Sequence, residues 1–256
     1  IFDLIITDSK NYVYDIMIKS EKMPSCKIHY APYTKKLSII SENELAGFLH
    51  KNIGQLKKIL NSKKKETFYK GFQLKIAIRD GKDVDAYNDK NNILVLDKRG
   101  STYKSYVIKE SKKDLIRIYT DACCLPGKKR SGYSIIIKYK EDEYQQYSFK
   151  SIIKNNCLLE LKAAITGLAL LQNQKAIRIV TDSQYVRKGL TEWILNWKLN
   201  NWLTSSGEKA KNIRMWKLFD SITEGRYIEF EWVKGHSGQF ENTLCDLYAK
   251  DAAMDV

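Results

Sequence analysis

The first part of the chain has a hydrophobic pattern typical of a small domain containing both strands and helices. Apolar residues at helical spacing predict one helix from about Glu42 to Leu60, and Ser41 with Glu44 forms a capping-box pattern at its start. Runs of apolar and β-branched residues predict strands at Leu4–Thr7, Tyr12–Ile18, Phe72–Arg79, Ile93–Asp97 and Tyr103–Lys109. We therefore expect residues 1–113 to form a small α+β domain.

Strands and helices alternate over the rest of the chain, residues 114–256. The predicted strands are Leu115–Thr120, Ser134–Tyr139, Gln145–Phe149, Ile177–Thr181 and Tyr227–Val233. Helical patterns cover about 158–172, 183–200, 212–222 and 241–253. A sheet with helices packed on it is an α/β architecture, so we expect a second, α/β domain at 114–256.

Composition and charge narrow the class of protein. The 256 residues include 43% hydrophobic residues, enough for packed cores, and no apolar run approaches the ~18 residues of a membrane span. The net charge of +14 favours a polyanionic partner. Residues 1–113 hold 23 basic and 13 acidic side chains, so +10 of the excess lies there. Five cysteines without framework spacing indicate a reducing compartment, cytoplasmic, nuclear or organellar, and we expect no membrane partner.

Four carboxylates stand where an acidic side chain is costly unless it is used. Asp121 and Asp182 each end a predicted strand after an apolar run and a Thr, which predicts that both lie at the carboxyl edge of the sheet. Glu160 interrupts the apolar face of a helix, and Asp246 lies in the last helix. Carboxylates that converge repel one another unless a cation lies between them, and oxygen ligands favour Mg²⁺ or Mn²⁺. Each acid taken alone is better explained as a helix cap or a solvated surface acid, whereas the placement of two of them at equivalent strand ends favours a shared functional role.

Residues 114–256 resemble ribonuclease H of type 1, the bacterial type. The resemblance rests on four stretches: Tyr119–Cys123 (YTDAC), Asn155–Ala164 (NNCLLELKAA), Thr181–Trp202 (TDSQYVRKGLTEWILNWKLNNW) and Glu231–Asp246 (EWVKGHSGQFENTLCD). It implies a mixed five-stranded sheet flanked by helices. The implied activity is hydrolysis of the RNA strand of RNA/DNA hybrids with two Mg²⁺ ions, Mn²⁺ being a substitute, which leaves 5′-phosphate and 3′-hydroxyl ends.

The resemblance also implies which residues form the site. The metal-binding carboxylates would be Asp121, Glu160, Asp182 and Asp246, the same four chosen above from their positions, and His236 would assist proton transfer or product release. Contacts to the RNA 2′-hydroxyls would come from Cys124, Asn156 and Gln184. A helical protrusion that grips the DNA strand would use Trp193, Trp197, Lys198 and Trp202, although we expect at least two of these tryptophans mainly to pack.

The sequence departs from the family pattern at two places. Cys157 stands where a second Asn usually precedes the metal-binding Glu, unless Asn155 and Asn156 are shifted by one residue. Between Trp197 and Trp202 only Lys198 is basic. Because phosphate contacts dominate affinity for a duplex, this domain alone is expected to bind weakly. Lys209, Lys211 and the loop Lys128–Arg130 are candidates for compensating contacts.

The role of residues 1–113 stays open at this point. Their charge, with lysines interleaved among Tyr33, Phe68, Tyr69 and Phe72, favours nucleic-acid binding, including double-stranded nucleic acid. A protein-interaction or oligomerisation module and an extension that only adds stability are the alternatives, and we expect a monomer.

Two alternative functions remain for the whole chain. A hybrid-binding protein without turnover is one of them. The other is the RNase H domain of a reverse-transcriptase-type polyprotein, which the absence of an initiator Met keeps open.

Overall fold

A computed structural model describes residues 1–78, 91–101, 104–112, 114–125, 130–204, 207–235 and 238–254. The chain divides into two compact units. One contains Ile1–Asp85 with the later segment Glu192–Lys211, and the other contains Ala86–Thr191 with Asn212–Val256. The predicted boundary after residue 113 therefore does not coincide with the division of the folded chain.

The first unit is an antiparallel sheet with helices on one face. Its strands are β1 (Phe2–Lys10), β2 (Val13–Lys19), β3 (Cys26–Ala31), β4 (Lys36–Ile39) and β5 (Gln73–Ile76), in the order β4-β3-β2-β1-β5. The helices α1 (Glu44–Lys51) and α2 (Ile53–Asn61) bury Leu45, Leu49, Leu56 and Leu60 in one core with the inward residues of the strands. A 3₁₀ turn at Lys65–Thr67 and a short helix at Ile194–Leu199 complete the regular elements described in this unit.

The helical region differs from the sequence prediction in two ways. Asn43, not Ser41, caps α1, because the Asn43 Oδ1 accepts a hydrogen bond from the Ala46 N–H at 3.0 Å. The Ser41 hydroxyl instead accepts from the Lys27 N–H. The predicted single helix is also two helices, because the backbone of Asn52 leaves helical geometry and its side chain donates to the Phe48 carbonyl.

Strands β3 and β4 have no counterpart in the sequence prediction. In β3, Cys26, Ile28 and Tyr30 face the core while Lys27 and His29 alternate with them on the outer face. Two charged or titratable residues and a Cys weaken the apolar signal of such a short strand. Burial against α1 and α2 decides its conformation.

The second unit is the predicted α/β domain, with a larger sheet. Its strands are β6 (Ile93–Asp97), β7 (Lys104–Ile108), β8 (Ile116–Cys124), β9 (Ser131–Lys140), β10 (Glu143–Ser151), β11 (Ala176–Thr181) and β12 (Tyr227–Trp232). Within the described ranges the sheet has the order β10-β9-β8-β11-β12-β6-β7. The five strands β8 to β12 form the expected mixed sheet, in which β8, β11 and β12 run parallel.

Two further strands extend that sheet. The hairpin β6–β7, predicted to belong to the N-terminal domain, pairs antiparallel with β12, with Ile93 opposite Glu231 and Asp97 opposite Tyr227. Every residue from Ile93 to Leu96 is buried. This pairing is the physical reason why the two units do not divide at residue 113.

Helices cover both faces of this sheet. They are α3 (Asn156–Leu170), α4 (Gln184–Lys188), α5 (Ile213–Ile222) and α6 (Phe240–Met254), and a π-helical turn at Gly189–Trp193 follows α4. In β8, Ile118 lies against Gly167 of α3, whereas Tyr119 packs with Cys245 of α6. Successive side chains of a strand point to opposite faces, so α3 and α6 lie on opposite sides of the sheet. Among the helices that the structure describes, none is long and apolar enough to cross a membrane.

Candidate active site

Local structure brings three of the predicted carboxylates to one edge of the second unit. Asp121 lies near the end of β8, and Asp182 follows the end of the neighbouring strand β11. Glu160 is supplied by α3, whose cap is Asn155: the Asn155 Oδ1 accepts from the Leu158 N–H at 3.1 Å. One carboxylate oxygen from each of Asp121, Glu160 and Asp182 lies within 4.8 Å of the other two.

These three acids line a cleft of about 390 Å³. The other residues of its lining are Ala122, Asn156, Cys157, Ser183, Gln184, Tyr185 and Asp246. The fourth predicted carboxylate, Asp246, therefore faces the same cleft, where Lys250 one helical turn later forms an ion pair with it at 2.5 Å. The structure thus gathers all four predicted carboxylates around one space.

Burial and the repulsion of neighbouring charges make two of these acids, Asp121 and Glu160, hard to ionise. Burial, followed by the nearby charge of Asp182, raises the pKa of Asp121 to about 7. Burial and the charges of Asp121 and Asp182 also raise the pKa of Glu160 well above its ordinary value. The Asp121 Oδ1 accepts a hydrogen bond from the Ala122 N–H at 2.7 Å, which offsets this effect only in part.

The donor set fits a divalent cation. The Glu160 Oε1 accepts from the Asn156 side-chain amide at 3.3 Å, whereas its Oε2 is buried without a hydrogen-bond partner. A buried carboxylate oxygen without a donor is costly, and a cation among the three carboxylates would remove both that cost and their repulsion. Oxygen ligands of this kind favour hard ions such as Mg²⁺ or Mn²⁺.

The backbone around Asp182 is held by its neighbours. The Trp232 indole N–H donates to the Asp182 carbonyl at 2.8 Å. Directly after Asp182, the Ser183 hydroxyl caps α4 by accepting from the Val186 N–H. The backbone of Asp182 is therefore held on one side by the pairing of β11 with β12 and on the other by the cap of α4.

Gly235 is a site residue whose role the sequence did not reveal. A Cβ built on Gly235 would lie 2.8 Å from the Asp182 Oδ2, closer than side-chain atoms normally approach. The position of Gly235 in the sequence, directly before His236, indicated no role of its own. The contact gives Gly235 a steric role, since only glycine lets the loop lie this close to the carboxylate.

The structure distributes the remaining predicted site residues as follows. Asn156 and Gln184 are exposed at the cleft, and the Asn156 side-chain amide donates to Glu160 four residues later. The Cys124 thiol donates to the Ile153 carbonyl at 3.4 Å. His236 lies outside the described residues, as do Lys128 and Lys129.

The predicted protrusion residues belong to the first unit rather than to the unit that holds the cleft. Trp193 and Trp197 place their ring centroids 5.7 Å apart, and Trp202 is also partly buried. Lys198 is exposed. The contact between Trp193 and Trp197 is consistent with the expectation that at least two of these tryptophans mainly pack.

A mixed sheet with helices on both faces and carboxylates gathered at its edge is an α/β fold, and the comparisons with known proteins place it in the RNase H-like class. The RNase H family model matches residues 113–254. The ribonuclease H of Shewanella halifaxensis (strain HAW-EB4) is 41% identical over 138 residues, covering 54% of this chain and 85% of that protein. The ribonuclease H of Aeromonas salmonicida (strain A449) is 43% identical over 138 residues, covering 54% and 89%. The chain therefore belongs to the RNase H family, and it is an enzyme.

Solved structures agree with this fold. LC9-RNase H1, a type 1 RNase H with the type 2 active-site motif, matches with a TM-score of 0.50 and 22% identity over 57% of this chain and 74% of its own. The foamy viral protease-reverse transcriptase, solved in complex with an RNA/DNA hybrid, matches with a TM-score of 0.51 and 19% identity over 61% of this chain and 23% of its own.

Proposed function

We propose that the chain is an endoribonuclease that hydrolyses the RNA strand of RNA/DNA hybrids with two divalent cations, leaving 5′-phosphate and 3′-hydroxyl ends. The observation that carries the proposal is the cluster of Asp121, Glu160 and Asp182, with carboxylate oxygens within 4.8 Å of one another in an RNase H fold. The relatives named ribonuclease H support the substrate class.

The carboxylates Asp121, Glu160, Asp182 and Asp246 would hold the cations, Mg²⁺ in the first place. Bound there, two cations would lower the pKa of the attacking water and stabilise the leaving 3′ oxygen. The chain itself supplies placement. The Asn156 amide orients the Glu160 carboxylate, the Trp232 indole fixes the Asp182 backbone, and Gly235 leaves room for the Asp182 side chain. By its motif position, His236 would assist proton transfer or product release.

Selection of RNA requires contacts to 2′-hydroxyl groups in the wide minor groove of the hybrid. Asn156 and Gln184 carry amides that can both donate and accept, and both are exposed at the cleft. We assign them to the RNA strand, with Cys124 as a further candidate. The exposed Lys198 and the tryptophans Trp193, Trp197 and Trp202 are assigned to the DNA strand.

The test is cleavage of a hybrid with a labelled RNA strand in Mg²⁺. Asp121→Asn and Asp246→Asn should abolish cleavage, because each removes a charged ligand oxygen. Asp251→Asn, an exposed acid of the same helix as Asp246, is the matched control and should cleave at the wild-type rate. Comparable cleavage by Asp121→Asn and wild type would overturn the assignment of the site. Hybrid binding without any cleavage by the wild type would favour a binding protein without turnover.

The basic first unit would contribute affinity for the hybrid. Its sheet and the protrusion segment, defined as residues 192–211, belong to one compact unit. The Asn200 side chain donates to the Lys75 carbonyl at 3.3 Å, and Lys64 forms an ion pair with Glu208 at 3.5 Å. The lysines of residues 1–78 thus belong to the same unit as Lys198. In this proposal they supply the phosphate contacts that the few basic residues of the protrusion segment cannot supply.

A further inference from the structure

Two hairpin tips of the first unit lie side by side. Strands β1 and β2 are joined by the two-residue turn Asn11–Tyr12, and β3 and β4 by residues 32–35. Because Tyr14 pairs with Tyr30 in the antiparallel β2–β3 ladder, the start of β2 and the end of β3 meet at the same edge of the sheet. The two tips therefore form one surface.

Aromatic rings at these tips are exposed and touch each other. Tyr12 is 69% exposed and Tyr33 is 59% exposed, yet their ring centroids lie 5.2 Å apart in an edge-to-face arrangement. The Lys65 ammonium lies over the Tyr33 ring, 4.3 Å from its centroid. We call Tyr12, Tyr33 and Lys65 the tip surface.

Buried residues hold the tip surface in place. Phe68, three residues after Lys65, packs against Tyr30 and Tyr14 with centroid distances of 5.2 and 5.7 Å. The Tyr30 hydroxyl donates to the Asn61 side chain at 2.8 Å. The tip surface thus rests on a fixed aromatic layer.

The backbone at Tyr12 is in a conformation that a large side chain rarely adopts. Asn11 and Tyr12 have φ values of +50° and +60°, as in a type I′ turn, whose second position strongly favours glycine. A tyrosine there adds strain and leaves its own ring in water. Strain that stability does not explain is a pointer to function.

Charge around the tips indicates what they bind. The tip segments 9–14 and 30–37 contain Lys10, Lys35 and Lys36 and no acidic residue, and all three lysines are exposed. Exposed aromatic rings combined with lysines form the arrangement that holds single-stranded nucleic acid, in which bases stack on the rings and cations meet the phosphates. We propose that the tip surface binds unpaired nucleotides of a nucleic-acid strand.

An unpaired strand fits this surface better than a duplex does. Bases inside a duplex are already stacked on both faces, so they cannot stack on a protein ring without leaving the helix. Unpaired bases present free faces to Tyr12 and Tyr33. The inference deepens the proposed nucleic-acid role of the first unit and does not depend on the cleavage chemistry, which belongs to the other unit.

The experiment titrates the full chain into a fluorescently labelled oligothymidylate and follows its anisotropy. A length of about 20 nucleotides exceeds the ~4–16 nucleotides that a small single-strand-binding fold covers. DNA has no 2′-hydroxyl, so the probe is not a substrate for the proposed activity. Tyr33→Ala and Tyr12→Gly should each weaken binding by about tenfold, the effect of losing one stacked base.

Tyr144→Ala is the matched control, since Tyr144 is 57% exposed on β10 of the other unit, and it should bind as the wild type does. Tyr12→Gly suits the turn better than Tyr, so it should unfold at the wild-type temperature or above, which separates a binding defect from a folding defect. Equal affinity of wild type, Tyr33→Ala and Tyr12→Gly, or no binding by the wild type, would overturn the inference.

Two further measurements distinguish an unpaired strand from a duplex or a second protein copy as the occupant of the tip surface. If Tyr33→Ala and Tyr12→Gly lose as much affinity for a blunt-ended duplex as for oligothymidylate, the tip surface would be assigned to double-stranded nucleic acid. If these variants, free of nucleic acid, sediment differently from the wild type, the tip surface would be assigned to a second copy of the chain. Either result contradicts the inference. The wild type could fail to cleave a hybrid and still bind oligothymidylate in a way that depends on Tyr12 and Tyr33. That result would refute only the proposed ribonuclease activity.

Discussion

At the scale of single residues, the site is a set of acids held against their own repulsion. Asp121 and Glu160 are each only 6% exposed, and Asp182 lies beside them. The strand ends and α3 fix these positions, so the carboxylates cannot move apart to relax. The folded chain therefore stores unfavourable electrostatic energy that a cation would release.

Substitution of Asp121 should therefore stabilise the metal-free protein in a pH-dependent way. The folded-state pKa of about 7 lies above the ordinary 3.8, so the folded chain takes up a proton between these values while the unfolded chain does not. Stability of the metal-free wild type should rise as the pH falls from about 7 towards 4. Asp121→Asn should raise the free energy of unfolding at pH 8 by up to about 4 kcal/mol, and by little at pH 4.

Urea unfolding at pH 8 and at pH 4, in the presence of a chelator, measures the free energies of unfolding that check this prediction. Asp251→Asn, exposed on α6, serves as the control and should change stability little at either pH. An Asp121→Asn variant that is less stable than wild type at pH 8 would show that the carboxylates do not repel one another as described.

Gly235 allows a second residue-scale prediction. Gly235→Ala introduces a Cβ only 2.8 Å from the Asp182 Oδ2, so either the loop or the carboxylate must shift. We expect hybrid cleavage to fall by about tenfold or more, because misplacement of a catalytic group by about 1 Å is sufficient for such losses. The melting temperature should change little. Gly100→Ala is the control and should cleave at the wild-type rate, since a Cβ at Gly100 would meet no atom within 4 Å.

At the scale of elements, a buried lysine connects the hairpin β6–β7 to helix α5 of the same unit. Lys98, directly after β6, is 6% exposed. Its ammonium donates to the Asp220 carboxylate at 2.6 Å, the Asp220 carbonyl at 2.7 Å and the Thr223 hydroxyl at 2.9 Å. These acceptors lie on α5 and just after its end, so one side chain joins the added strand to the helix layer.

Removal of this lysine should loosen the hairpin. Lys98→Ala leaves the Asp220 carboxylate without its buried cation, and loss of one partner of a buried pair costs about 3–5 kcal/mol. We expect the free energy of unfolding, measured by urea titration, to fall by that amount. Lys104→Ala, on the exposed side of β7, is the control and should cost less than about 0.5 kcal/mol. Equal stability of the two variants would contradict the role given to Lys98.

At the scale of the whole molecule, the charge is divided between two bodies. Each unit carries a net charge of +7, because the basic residues 86–113 belong to the second unit, which also holds the acidic cleft. The protrusion segment folds with the first unit, and β6 and β7 fold with the second. A fragment of residues 114–256 would lack two strands of its sheet, so binding is better tested in the full chain.

The salt dependence of hybrid affinity tests the role of the first unit. Removal of each lysine that meets a phosphate should reduce the slope of log affinity against log salt concentration by about 0.9. Lys51→Gln with Lys57→Gln, two exposed lysines of α1 and α2, should therefore reduce the slope by up to about 2. The double variant Lys104→Gln with Lys140→Gln changes the charge equally in the second unit and should leave the slope nearly unchanged. Identical slopes in both variants would refute a binding role for α1 and α2.

Local pattern in the chain was sufficient for the elements that carry the acidic site. Alternation and helical spacing placed Asp121 and Asp182 at strand ends and Glu160 on an apolar helix face, and those positions alone predicted a cluster of carboxylates. The family motifs point to the same residues. These predictions succeeded because neighbouring residues of one strand or helix share a face, a property that spacing alone reveals.

Packing settled the features that depend on residues distant in the chain. The pairing of β6 with β12, the steric role of Gly235 beside Asp182 and the meeting of Tyr12 with Tyr33 each join segments that no local pattern connects. The capping of α1 by Asn43 was settled in the same way, since Ser41 bonds across to Lys27. Burial of apolar surface in the two cores brings these distant segments together, and that free energy belongs to the packed molecule rather than to any segment.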